Sequence, residues 1–265
     1  MTDWMSAPLP NIMIAPNGAR KVKADHPAIP ISVAEVAQTA LACHKAGAGA
    51  IHFHVRDDDD KHVFDVGQYR EGLAEMGRLC PQLHLQITTE TVGLYNPDDM
   101  RQLIRNVMPP GASVGVSEMI PSRQPDADDV RFYEWMADAG IRVQHICYAP
   151  EDVVLLGKLL AQLPASHNHK PWCLFVLGHY TGAVSHPDLL VPFLDEVASA
   201  GIDADWAICA FAAEEAACLD AAIAAGGKVR VGFENSMIMR DGTIAANNEA
   251  RASEASQLFA AAGRL

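Results

Sequence analysis

Short apolar runs alternate with helix-like segments along the whole chain. The apolar runs show little alternation between hydrophobic and polar positions, which is typical of parallel strands buried on both faces. We predict strands at 11–16, 50–56, 83–89, 112–118, 141–148, 172–177, 204–210 and 228–233. Helical segments follow them at 33–46, 67–79, 97–107, 126–139, from 150 onward, 187–200, 213–225 and 246–263. Ser32 is the predicted N-cap of the first helix.

Eight successive βα units favour closure into a barrel. A (β/α)8 barrel has about 250 residues, and this chain has 265. An open doubly wound sheet usually carries a GxGxxG loop after its first strand, and Pro16-Asn17-Gly18-Ala19 lacks that spacing. No linker or low-complexity segment interrupts the pattern. We therefore predict an α/β fold in which residues 1–265 form a single (β/α)8 TIM barrel domain.

Charge and cysteine content narrow the class of protein. The formal net charge of −13 argues against nucleic acid or a membrane surface as a partner, because both bind basic patches. The six cysteines form no CxxC pair, which indicates reduced core thiols in a cytoplasmic protein. Neither a signal peptide nor an apolar stretch of about 18 residues is apparent, so we expect no membrane insertion.

Two histidines close the predicted second strand. His52 and His54 are two positions apart in Ile-His-Phe-His-Val-Arg, so their side chains face the same side of a strand. They can therefore converge on one cation, with Zn–N bonds of about 2.0–2.1 Å. The alternative is a pair of hydrogen-bonded core histidines. Because they lie at the end of a barrel strand, we favour a metal-binding role for the two histidines over a purely structural one.

A third ligand is expected from the end of the eighth strand. Catalytic groups of such barrels lie at the C-terminal strand ends, and strand eight closes the barrel near strand two. Glu234 follows strand eight, and Arg230 precedes it by four positions on the same face. Two imidazoles and one carboxylate leave a coordination position open, as in catalytic zinc sites. Iron, manganese or nickel would also suit these ligands. A buried Arg230 indicates recognition of a substrate carboxylate.

Two other polar clusters are weaker candidates. His167 and His169 repeat the same spacing, but they fall in a polar loop between prolines, where we expect solvated side chains. The acidic run at 57–60 lacks the EF-hand spacing and is expected to be a loop tip. Within it, Asp57 is a candidate to support the metal-binding strand.

The motifs taken together resemble one known family. Ala-Pro-Asn-Gly-Ala-Arg, Ile-His-Phe-His-Val-Arg-Asp, Phe-Val-Leu-Gly and Val-Arg-Val-Gly-Phe-Glu occur here in the order found in the beta-keto acid cleavage enzymes. The resemblance covers nearly the whole chain. It implies a (β/α)8 barrel that binds a divalent metal, usually Zn²⁺, and assembles as a homo-oligomer, for which we favour a tetramer. The implied reaction converts a β-keto acid and acetyl-CoA into acetoacetate and a new CoA ester.

The resemblance also assigns individual residues. It implies that His52, His54 and Glu234 bind the metal and that Arg230 is catalytic. We expect substrate contacts from the hydroxyls after strands three and four and from the first loop, namely from Thr88, Thr89, Ser113, Asn17 and Arg20.

Some positions depart from the family pattern. Asn235 stands where the family has an aspartate implicated in proton abstraction, and a neutral amide cannot accept that proton. The family's acids after strand five are also absent, and Arg20 replaces a glutamate. We retain Asn235 among the catalytic positions because of its place in the motif.

Glu90 is our candidate for the missing base. It is two residues beyond Thr88 and so faces the same way, where it would replace the lost carboxylate or pair with Arg20. The alternative is a glutamate at the rim without a catalytic role. His179, after strand six, is a further candidate base.

The sequence thus favours a metal-dependent acyltransferase that cleaves a β-keto acid with acetyl-CoA. One alternative keeps the barrel and the metal for an aldolase or hydrolase reaction on a carboxylated substrate. Another is a metal-binding barrel that has lost the catalytic acids of the family.

Overall fold

Eight parallel strands form a closed barrel in the computed structural model, which describes residues 4–164, 170–179 and 184–264. Each strand pairs with the next along the chain, and the last pairs with the first through Met13 and Arg230. The strands are β1 (Ile12–Ile14), β2 (Ala50–Phe53), β3 (His84–Ile87), β4 (Gly111–Gly115), β5 (Arg142–Cys147), β6 (Trp172–Leu177), β7 (Asp205–Ala210) and β8 (Lys228–Val231). The predicted (β/α)8 TIM barrel is confirmed.

The helices surround the barrel. They are α1 (Val33–Lys45), α2 (Val66–Leu79), α3 (Pro97–Val107), α4 (Val116–Met119), α5 (Ala127–Asp138), α6 (Pro150–Leu160), α7 (Leu190–Ser199), α8 (Glu215–Ala224) and α9 (Asn248–Ala261). Ser32 caps α1 as predicted, in a reciprocal capping box with Glu35. Short 3₁₀ turns precede α7 and α8.

The predicted fourth strand was too long. Residues 116–118 belong to the one-turn helix α4, not to β4, which ends at Gly115. The turn is closed by the Ile120 amide donating to the Val116 carbonyl. It brings the carboxylate of Glu118 back to Thr91 and Tyr148, where it accepts hydrogen bonds. The chain leaves the sheet at Gly115, and the helical turn that follows places Glu118 beside the barrel mouth.

Side chains alternate between two cores. Those pointing outward pack against the helices, and those pointing inward fill the barrel with Leu9, Met13, Ala50, Ile146, Trp172, Leu174, Val176, Ala207 and Cys209. Because residues two apart share a face, His52 follows Ala50 toward the barrel axis. The polar functional side chains therefore lie above an apolar plug, at the C-terminal end of the barrel.

All six cysteines fall in described segments, where they are buried and unpaired. This agrees with the expectation of free core thiols. Within the described segments, we find no helix that has both the length and the apolar character needed to cross a membrane.

Candidate active site

His52, His54 and Glu234 converge at the C-terminal mouth of the barrel. The Nε2 atoms of the two histidines are 3.2 Å apart. Oε2 of Glu234 lies 3.6 Å from Nε2 of His52 and 3.5 Å from Nε2 of His54. Ligands at about 2.0–2.1 Å from a tetrahedral ion are separated by roughly 3.3 Å. All three side chains are buried, so the donor set fits one divalent cation in both spacing and chemistry.

The protonation of the two histidines also suits a metal. Burial lowers the pKa of His52 to about 4 and that of His54 well below its usual value. Both rings are therefore neutral near pH 7. Nδ1 of His52 lies 3.1 Å from Oε1 of Gln86, which accepts its proton and leaves the Nε2 lone pair toward the centre. Neutral imidazole is the form that binds cations.

Asn17 holds the second histidine through its backbone. Its side-chain amide donates to the His54 carbonyl at 2.9 Å and accepts from the His54 amide at 3.3 Å. Arg56 also connects the end of β2 to the first loop, because its guanidinium donates hydrogen bonds to the backbone carbonyls of Asn17, Gly18 and Lys21. Asn17 therefore connects the first loop to the end of β2, and it does not line the cavity described below. Its predicted contact with substrate stays untested.

Glu234 is held from three sides. Arg230 donates to its Oε1 at 2.9 Å. Lys21 donates to the carbonyls of Phe233 and Glu234 at 2.7 and 3.1 Å, which fixes the backbone after β8. Gly18 packs directly against the side chain, since a Cβ at this position, where φ is +62°, would lie 2.6 Å from Cγ of Glu234. Arg230 favours an ionised carboxylate: although burial alone would raise the pKa of Glu234, the charge of Arg230 holds that pKa well below its usual range.

A cavity of about 220 Å³ opens above these ligands. Its polar lining includes seven side chains that were predicted from the sequence to be functional: His52, Thr88, Glu90, Arg20, Arg230, Glu234 and His179. The structure thus brings the predicted metal ligands together with the predicted base and two arginines.

Two further predicted substrate contacts, like Asn17, lie outside the cavity lining. Thr89 donates from its hydroxyl to the Ser113 carbonyl at 2.8 Å. The Ser113 hydroxyl faces the Ile87 carbonyl at 3.4 Å. Thr88, one residue earlier, does line the cavity. Successive residues of an extended chain point to opposite faces, which separates Thr88 from Thr89.

Glu90 lies beside the candidate metal centre. Its Oε2 is 3.9 Å from Nε2 of His54, and its backbone carbonyl lies 3.0 Å from Nε2 of His62. Burial, with Glu234 and Glu118 nearby, raises the pKa of Glu90 to about 7. A carboxyl group tuned to this range is suited to both accepting and returning a proton.

Sequence reasoning missed a second carboxylate. Glu118 lines the cavity together with Thr91 and Tyr148. Its oxygens accept from the Thr91 hydroxyl at 2.6 Å and from the Tyr148 hydroxyl at 3.1 Å. Its position could have identified it, because Glu118 is an acidic residue at the end of the predicted fourth strand, where barrel enzymes have functional groups.

The remaining candidates lie elsewhere. Asp57 is exposed and accepts hydrogen bonds from the amides of Asp59 and Lys61, so it shapes the loop tip; among the described residues, no hydrogen bond or ion pair joins it to the metal ligands. Asn235 lines a neighbouring cavity rather than this one. His167 and His169 fall outside the described residues.

Fold and site together define a (β/α)8 barrel with a candidate metal centre at the end where barrel enzymes have their active sites. The model of the beta-keto acid cleavage enzyme family matches residues 11–265. This chain belongs to that family.

Several curated proteins are related to it over most of their length. The 3-keto-5-aminohexanoate cleavage enzyme of Fusobacterium nucleatum is 26% identical over 240 residues, 87% of this chain and 84% of that protein. The 3-oxoadipate:acetyl-CoA acetyltransferase of Cupriavidus necator is 23% identical, over 96% of this chain and 89% of its own. The 3,5-dioxohexanoate:acetyl-CoA acetone transferase of Paraburkholderia graminis is also 23% identical, over 94% and 89%.

Solved structures support the fold alone. ObcA, in a ternary complex with a C4-CoA adduct and oxalate, is similar with a TM-score of 0.71 at 13% identity, over 89% of this chain. The chain covers 65% of the ObcA chain, just under two thirds. The type I 3-dehydroquinate dehydratase of Clostridium difficile matches with a TM-score of 0.58 at 11% identity, over 98% of this chain and 95% of its own.

Proposed function

We propose that this protein is a divalent-metal-dependent enzyme that converts a β-keto acid and acetyl-CoA into acetoacetate and a new CoA ester. The observation that carries the proposal is the convergence of His52, His54 and Glu234 beside a cavity that His52 and Glu234 line, in a chain of this family. Relatives named for β-keto acid cleavage and for acetyl-CoA transfer support the same reaction.

Those three residues would hold the cation, for which we propose Zn²⁺. When bound, it would supply a Lewis acid that lowers the energy of an enolate formed from the β-keto acid. Arg230 lines the same cavity and would attract the substrate carboxylate. The Arg230 guanidinium already donates to the Glu234 carboxylate, so the substrate carboxylate would lie beside that of Glu234, with both against the same guanidinium.

Glu90 is the proposed base. Its carboxylate lies within the cavity and near His54, and the neighbouring Thr88 hydroxyl accepts the Glu90 amide at 2.9 Å, which fixes the turn that carries it. Glu90 would take the proton from C2 of the β-keto acid. Arg20, which lines the same cavity, would keep the ionised form accessible.

The carbon chemistry then proceeds through two acyl transfers. C2 of the substrate attacks the thioester carbonyl of acetyl-CoA, and CoA thiolate leaves. The thiolate then attacks the original C3 ketone, and the C2–C3 bond breaks. The proton taken by Glu90 returns to C2 of the departing fragment, so the products are acetoacetate and an acyl-CoA.

The test combines metal analysis with a panel of β-keto acids. We expect about one cation per chain, with acetoacetate and acyl-CoA appearing in equal amounts only when acetyl-CoA is present. Replacing His54 by Ala should remove both metal and turnover, whereas replacing the exposed His186 by Ala is the matched control and should change neither.

The products distinguish the competing functions. Cleavage of a carboxylated substrate without any CoA requirement would indicate an aldolase or hydrolase. Full metal occupancy without turnover on the panel would favour a metal-binding barrel that has lost catalysis. A homo-oligomer, with a tetramer favoured, and a cytoplasmic location stay predictions, and sedimentation of the purified protein tests the first.

A further inference from the structure

A second cavity lies beside the first. Its volume is about 490 Å³, and it shares His179 and Phe211 with the first cavity as common wall. Apolar residues form much of its lining, namely Val184, Phe211, Ala212, Met237, Ile238 and Ile244. Val184 and Ile244 are 69% and 60% exposed, so the cavity reaches the surface. It therefore forms an apolar passage from solvent to the wall of the reaction cavity.

Asn235 gives this passage a polar feature. The residue lines the cavity and is only 3% exposed. Neither polar atom of its side-chain amide has a hydrogen-bond partner among the residues that the structure describes. A buried amide without partners costs on the order of 1–3 kcal/mol, and native structures normally satisfy such groups with protein, water or ligand.

The backbone of Asn235 is firmly held. Its amide donates to the Gly232 carbonyl at 2.9 Å, and its carbonyl faces the Lys21 ammonium group at 3.5 Å. Lys21 also bonds the carbonyls of Phe233 and Glu234, so one side chain fixes the metal-ligand segment and the cavity wall together. The unpartnered amide is therefore presented from a firmly held part of the wall of the second cavity.

A ligand that complements this cavity is mostly apolar, carries a group that hydrogen-bonds with the Asn235 amide, and extends to the reaction cavity. The pantetheine arm of a CoA thioester has this chemistry, because its secondary amides are separated by aliphatic carbons. We propose that the second cavity holds this arm and that the Asn235 side chain hydrogen-bonds one of its amides. This inference rests on the proposed function, since it assigns a site to the acetyl-CoA of that reaction.

The choice of side chain supports this role. A carboxamide both donates and accepts, and so can match the C=O and the N–H of a secondary amide, whereas a carboxylate only accepts. An amide also adds no second negative charge next to Glu234. Asn235 is thus assigned to binding of the thioester, and the acid–base step stays with Glu90.

The test compares two acetyl donors in one variant. Replacing Asn235 by Leu should lower kcat/KM for acetyl-CoA at least tenfold, mainly by raising KM. The same variant should use S-ethyl thioacetate, which has no amide, about as well as the unaltered protein. KM for the β-keto acid, metal content and Tm should stay unchanged.

Ser236→Ala is the matched control. Ser236 lines the same cavity, but its hydroxyl already donates to the Ala212 carbonyl and accepts the Ile238 amide. This variant should change kcat/KM for both donors by the same factor. Replacing Asn235 by Asp tests the competing role, since an increase in kcat would mean that this position serves as the base and would overturn the inference.

Failure of the inference and failure of the proposed function give different results. If the unaltered protein transfers the acetyl group but Asn235→Leu affects both donors equally, the assignment of the arm to this cavity is overturned while the function stands. If the unaltered protein neither binds CoA in calorimetry nor consumes acetyl-CoA, the proposed function fails and the inference falls with it.

Discussion

Gln86 fixes the ring of His52 from the neighbouring strand. The side-chain oxygen of Gln86 lies 3.1 Å from Nδ1 of His52, and the two residues are direct register partners between β3 and β2. Both are fully enclosed in the barrel. This contact sets which nitrogen of His52 carries the proton and so which nitrogen is available to a cation.

Loss of this contact should weaken metal binding. We expect Gln86→Leu to lower Zn²⁺ affinity roughly 10–100-fold, because outer partners orient the ligand ring and fix its tautomer. Competition with a chromogenic chelator measures the change. Gln144→Leu is the matched control, since Gln144 is an equally buried amide of the barrel interior whose side chain makes no hydrogen bond to the metal ligands within the described segments. Equal affinities for both variants would contradict the role of Gln86.

Removing the proposed base should stop catalysis and spare the metal. We expect Glu90→Gln to lower kcat by about 100-fold or more, because the amide keeps the shape of the side chain but cannot take the C2 proton. Metal content should match that of the unaltered protein. Glu71→Gln, on the exposed face of α2, is the control. Full activity of Glu90→Gln would eliminate Glu90 as the base.

The sequence predicted the barrel and the metal candidates for one physical reason, which is periodicity. Two-residue spacing puts His52 and His54 on one face. Barrel closure brings the end of β8 near β2, so Glu234 could be placed from 180 positions further along the chain. Neither step needs knowledge of side-chain packing.

Other features depended on packing and could not be predicted this way. Thr88 and Thr89 are equivalent hydroxyls in the sequence, yet only the first lines the cavity, because a one-residue change of position reverses the face. The position of Glu118 depends on α4, a single helical turn that is too short to be stable alone. This turn forms together with its tertiary contacts, so the sequence pattern does not reveal it. Phe211 and Asn235 define a second cavity that no local pattern reveals.

Glu118 should influence the choice of β-keto acid. Its carboxylate lines the wall of the reaction cavity, and a negative charge there favours a substrate whose side chain carries an ammonium group over one with a second carboxylate. We expect Glu118→Gln to change the ratio of kcat/KM for two such substrates about tenfold, or roughly 1.4 kcal/mol. Tyr148→Phe removes one hydrogen bond but keeps the charge, so it should preserve the ratio. An unchanged ratio in Glu118→Gln would contradict the prediction.

Acid should destabilise the fold through its buried histidines. His84 is enclosed between Trp4 and Trp172, and burial, together with the charge of Arg142, lowers its pKa to about 3. The unfolded chain takes up a proton at this residue below about pH 6.5, and the folded chain does not until about pH 3. The contribution of His84 to the free energy of unfolding should therefore be constant above about pH 7 and fall as the pH decreases from 6.5 toward 3.

A single substitution isolates this contribution. We expect His84→Gln to reduce the slope of unfolding free energy against pH by up to about 1.4 kcal/mol per pH unit between pH 4 and 6, which corresponds to one proton. Urea unfolding of chelator-treated protein at pH 4.5, 5.5 and 7.5 measures the slope. At pH 7.5 the difference in free energy of unfolding between the two proteins reflects only the packing lost with the imidazole ring, so it serves as the internal reference. Parallel curves for the two proteins across this range would show that His84 titrates alike in the folded and unfolded states, and burial would then not suppress its protonation.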